Sequence, residues 1–130
     1  MPPAGGDIHI IKPSQCHLMD LTGLTAKDIH DVMDMVKEYL DDSHLMRRLY
    51  RCRKCGQLYF YEFYEEIDWS EGNDPQYRTL IPVADEASAE ALNKQSPLQL
   101  LAYPSIRMDY PQEAKDPEQP RWANLNKMSS

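Results

Sequence analysis

Leu58-Tyr59-Phe60-Tyr61-Glu62-Phe63-Tyr64-Glu65-Glu66-Ile67 is the stretch on which the fold turns. Aromatic and β-branched side chains fit the pleated surface of a sheet, and this run is dense in them. Its first half is apolar on both faces, as a central strand requires. Its second half admits Glu62, Glu65 and Glu66, as a strand emerging into solvent does. The stretch predicts a strand from Leu58 to Trp69. Upstream, Leu45 to Cys52 predicts a second strand, and Cys52-Arg53-Lys54-Cys55-Gly56 predicts the tight turn of a hairpin between them. Folding the hairpin about Arg53-Lys54 brings Arg48 roughly opposite Glu62, and cross-strand opposite charges contribute about 0.2–1 kcal/mol each.

Working outward, Thr25-Ala26-Lys27-Asp28 has the spacing of a capping box. Ile29, Val32, Met33, Val36 and Leu40 follow at intervals of three and four, with acids and Lys37 between them. That periodicity predicts an amphipathic helix of about four turns, ending near Asp41-Asp42-Ser43. Tyr77 to Val83 predicts a third strand, with Pro82 marking an edge or an end. Asp85 to Lys94 predicts a smaller second helix, and Ser96-Pro97-Leu98-Gln99 a helix start. The glycines and prolines of residues 1–14 predict a loose arm, its Ile8, Ile10 and Ile11 tied down by one short strand. Residues 104–130, rich in Pro, are expected to form an extended tail. The expectation is one α+β domain over 1–130: a three-stranded, mainly antiparallel sheet, one amphipathic helix, a smaller second helix and a Cys-rich knuckle in the hairpin.

Charge narrows the partners. The 130 residues carry 14 Lys+Arg against 21 Asp+Glu, a net −7. So acidic a chain does not suit broad nucleic-acid binding, which neutralises phosphates with Lys and Arg. No apolar run approaches the ~20 residues of a membrane helix, and Met1-Pro2-Pro3-Ala4-Gly5-Gly6-Asp7 does not read as a signal peptide. Three cysteines without an export signal point to a reducing compartment, hence a cytoplasmic protein.

Those cysteines carry the most specific signal. Two residues between Cys52 and Cys55 let both sulfurs face one centre, and Gly56 accommodates the turn beneath them; this is half of a tetrahedral zinc site. Cys16, the only other thiol, lies in the loop before the helix and supplies a third ligand. His17 is the first choice for the fourth, with His44 as the alternative. His44 sits eight residues before Cys52, roughly 26 Å along a straight strand. The competing reading is three reduced thiols, of which the pair packs the turn. Over residues 45–67 the chain resembles zinc-ribbon knuckles, although no second Cys-x-x-Cys is present. Four protein ligands imply a closed, structural Zn2+ site.

Catalytic patterns are missing. His44 is followed by Leu45-Met46 and Cys52 is preceded by Arg51, so the zinc-deaminase signature is absent. There is no phosphate loop, no Gly-x-Ser-x-Gly and no His-Glu-x-x-His. The expectation is therefore a protein-binding module, not an enzyme. Glu62, Glu65, Glu66, Asp68, Trp69, Glu71 and Asp74 would offer an acidic, aromatic surface to a basic protein partner. In composition the chain resembles small acidic immunity and antitoxin proteins, which implies a basic toxin as that partner. Two alternatives remain: a zinc-knuckle nucleic-acid-binding protein using Arg47 to Lys54 with Tyr50, and a thiol redox protein with thiols activated by Arg51, Arg53 and Lys54.

Overall fold

Six strands pair in chain order, each antiparallel to the next, in a computed structural model that describes residues 8–11, 16–66, 75–110 and 119–124. The strands are β1 (Met33–Asp42), β2 (Leu45–Cys52), β3 (Leu58–Glu65), β4 (Gln76–Val83), β5 (Ser105–Arg107) and β6 (Arg121–Ala123). Three short helices accompany them: α1 (Ala26–Asp31), α2 (Glu86–Leu92) and α3 (Pro97–Leu100), with a 3-10 turn at His17–Met19. The three-stranded α+β expectation is thus corrected to a six-stranded antiparallel sheet with a few short helices.

The largest correction concerns the predicted four-turn helix. Its capping box is real: the Thr25 hydroxyl accepts from the Asp28 amide and the Asp28 carboxylate accepts from the Thr25 amide. The helix nevertheless stops at Asp31, and the chain continues as β1, an edge strand. Two irregularities in the pairing with β2, between Met35 and Lys37 and between Glu38 and Leu40, leave Val36 and Tyr39 without partners in the register. Each extra residue converts a two-residue repeat locally into three. Two of them three residues apart make an edge strand read like a helix face. β5 and β6 also went unforeseen, because three residues are too few to show an alternation.

The sheet is covered on both faces. Along β3, Tyr59, Tyr61 and Phe63 pack with Leu18, Leu21 and Ile29 from the first helical segment, and with Leu80, Ile106 and Met108. On the opposite face, Phe60 packs with Leu49, Ile81 and Val83 beneath Ala89, Leu92 and Leu100 of α2 and α3. Fully burying a side chain of this size contributes about 1.5–3 kcal/mol, so β3 anchors two cores at once. Asp85 caps α2 through the Ser88 amide, and Ser96 and Gln99 form the capping box of α3. Ile10 makes a single bridge to Val83.

Register also corrects the expected hairpin charges. Arg47, not Arg48, lies opposite Glu62; Arg48 faces Tyr61. No helix among the described residues is long and apolar enough to cross a membrane.

Candidate metal centre

The β2–β3 turn is built by its backbone. Cys52 accepts from the Gly56 amide at 2.8 Å and donates to the Gln57 carbonyl at 2.9 Å, while the Arg53 amide donates to Val32 at 2.7 Å. Gly56 has φ +84°, a left-handed value that costs a side-chain-bearing residue about 1–2 kcal/mol. Cys52, at the end of β2, is 1 % exposed, whereas Cys55 is exposed. Cys16 caps the 3-10 turn that His17 begins, and Leu18, wholly buried one residue later, roots that turn in the core.

These two segments bring Cys16, His17 and Cys52 together: Sγ, ring nitrogen and Sγ all lie within 4.8 Å of one another. The Cys52 Sγ to His17 Nδ1 distance is 4.0 Å. Ligands of a tetrahedral zinc ion stand about 3.5–3.8 Å apart, as bond lengths of ~2.1–2.3 Å require. Small side-chain adjustments would close that gap. The group can hold a metal ion.

Without a cation, burial works against a thiolate at Cys16 and for a neutral imidazole at His17. Burial pushes the Cys16 thiol up to about 12, against lowering hydrogen bonds with Tyr59 and the Leu18 backbone and with smaller raising effects of Cys55 and Cys52. The Tyr59 hydroxyl donates to Cys16 Sγ at 3.2 Å, and burial followed by this bond holds the phenol far above its ordinary value. Burial, then the Lys54 ammonium, lowers the His17 imidazole below its usual value and favours the neutral ligand form. A cation binding here would displace thiol protons and provide the charge that stabilises thiolates.

The remaining predicted residues fall as follows. Cys55 is outside the mutually close set, although its thiol acts on both Cys16 and Tyr59. His44 stands at the far end of β2 from Cys52 and bonds Glu65 at 3.0 Å. Of the expected partner surface, Glu62 is buried at 5 % exposure, with Arg47 bonded to it at 2.8 and 2.9 Å. Burial outweighs that guanidinium and raises the Glu62 carboxyl above its ordinary value. Glu65 is held by His44 and Gln76, and Glu66 is exposed. Asp68, Trp69, Glu71 and Asp74 lie outside the described residues. Sequence reading missed Tyr59 as a neighbour of the thiols; the alternation that puts Tyr59, Tyr61 and Phe63 on one face was its available signal. No family model, curated protein or solved structure matches the chain.

Proposed function

We infer that the chain is a non-catalytic binding module, stapled by a zinc ion and directed at a basic protein partner. The convergence of Cys16, His17 and Cys52 carries the reading. Two thiols and an imidazole form a borderline-soft donor set that suits zinc. Cys55, exposed and three residues from Cys52, is the fourth ligand once its turn closes over the ion. Four protein ligands leave no position for a reacting water, so the ion fastens the fold without doing chemistry.

The net charge of −7 supports the basic partner, a nuclease-like toxin being the class that such a composition fits. The basic run offers less to nucleic acid. Arg47 is spent on Glu62, Arg48 on Glu38 at 3.0 Å and Arg53 on Asp34 at 2.9 Å.

Metal analysis of protein purified without chelator tests the staple and should find one zinc per chain. Substitution with Co2+ should then give the thiolate charge-transfer absorption of three sulfurs, weakened by one third in Cys55→Ser. Metal-free protein showing no thiolate band on Co2+ addition would refute the reading. For the partner, Glu65→Lys with Glu66→Lys should weaken capture of a co-purifying basic protein; undiminished capture would argue against an acidic interface.

A further inference from the structure

One face of the sheet carries a transverse row of polar residues. Arg47, Glu62, Thr79 and Arg107 are successive partners across β2, β3, β4 and β5, and each is at most 9 % exposed. Buried charge is costly and offers little net stability over an apolar filling, so the fold alone does not call for such a row. Glu62, Thr79 and Arg107 of this row form one wall of a cleft of about 550 Å³, with Arg47 behind Glu62. Tyr64 and Tyr77, the next partners on the same face of these two strands, stack at 6.3 Å with rings 21° from parallel. Pro97, Leu98 and Leu101 form the opposite wall, with Leu98 77 % and Leu101 45 % exposed. A volume within about 300–1,000 Å³, mostly apolar walls and a few converging polar groups are the marks of a small-molecule site.

The polar groups define the ligand. Both bonds from Arg47 to Glu62 fall on Oε2, leaving Oε1 as the acceptor not engaged by Arg47. Arg107 spends Nη2 on Asp109 at 3.1 and 3.3 Å, while its Nε–H is buried with no hydrogen-bond partner. Thr79 adds a hydroxyl between them, able to donate or accept. Arg47 with Glu62 and Arg107 with Asp109 are two self-neutralising pairs. At this row a charged ligand would therefore find no spare counter-charge and would lose its hydration; Glu66, the other charged residue of the lining, is exposed to solvent. A neutral group offering an acceptor and a donor side by side would meet the guanidinium and the carboxylate together.

The geometry points to a binding site for a small, neutral, aromatic amide, its ring against Tyr64 and Tyr77 under Leu98 and Leu101, its amide edge on Glu62, Thr79 and Arg107. This site is separate from the metal centre and does not depend on it.

Amide NMR titration of the full chain with benzamide, benzoate and benzylamine tests the assignment. Benzamide should shift resonances of residues 62–66, 76–79, 96–101 and 107 and saturate in the millimolar range. Benzoate and benzylamine should bind at least fivefold more weakly. Thr79→Val should weaken benzamide at least fivefold by removing part of the polar edge. Leu98→Ser with Leu101→Ser, both at exposed positions, should do the same by stripping the apolar wall while leaving the spectrum folded. Absent or scattered shifts, equal binding by a charged analogue, or undiminished binding by the folded double variant would each overturn the proposal.

Discussion

His30 shows how one side chain gives the molecule a pH dependence. Its imidazole packs edge-on against Tyr61 at 5.1 Å and Tyr50 at 6.0 Å. Burial, then the Arg78 and Arg48 guanidiniums, lowers its pKa from 6.5, against a smaller opposing influence of Asp31. Above that ordinary value, folded and unfolded chains both hold the ring neutral. As pH falls through it, the unfolded chain takes up a proton that the folded chain refuses, so stability drops until the lowered folded value is reached. His30→Phe keeps the edge-on aromatic contact without the titration. Urea midpoints at about pH 7 and about pH 5.5, values that bracket an ordinary histidine, should fall less for this variant than for the natural chain. Equal falls would place the acid sensitivity elsewhere.

At the scale of elements, the β2–β3 turn shows what backbone alone can cost. A methyl group on Gly56 would meet nothing within 4 Å, so Gly56→Ala tests only the left-handed φ of +84°. Loss of stability should be about 1–2 kcal/mol, read as a lower urea midpoint at unchanged slope; a neutral result would mean that the turn relaxes to another conformation. The turn and its flanking strands were legible because two apolar runs bracket a short polar segment ending in glycine. Helix starts were legible for the same local reason: the side chains of Thr25, Asp85 and Ser96 each accept from the backbone amide three residues on. β1 was not legible. Val36 and Tyr39 shift its phase, and Met35, at 56 % exposure, breaks the inside–outside pattern that an edge strand would otherwise show. Glu62 misled in the same way: its acid type suggests solvent, but the cross-strand Arg47 that offsets its burial is fixed by register, one residue from the Arg48 expected there.

For the whole molecule, the proposed ion would join His17 to Cys52, 35 positions apart in the chain. Closing a loop of this length removes unfolded-state entropy on the order of 4 kcal/mol if the link is permanent. A second clasp holds the same segment independently: the Trp122 indole N–H donates to Leu18 at 2.8 Å, and the Gln119 amide reaches Leu24 at 2.9 Å and Leu21 at 3.3 Å. Removing the proposed ion would therefore open one of two fastenings. Chelation should speed amide exchange across residues 16–24 and lower the melting temperature by about 10 °C, the shift expected for a few kcal/mol in a domain of this size, while β3, buried on both faces, retains its protection. Exchange that quickened equally in β3 would mean that the ion holds the entire core and not one segment. Unchanged exchange at residues 16–24 would leave Leu18 and Trp122 as sufficient fastening and deprive the thiols of a structural role.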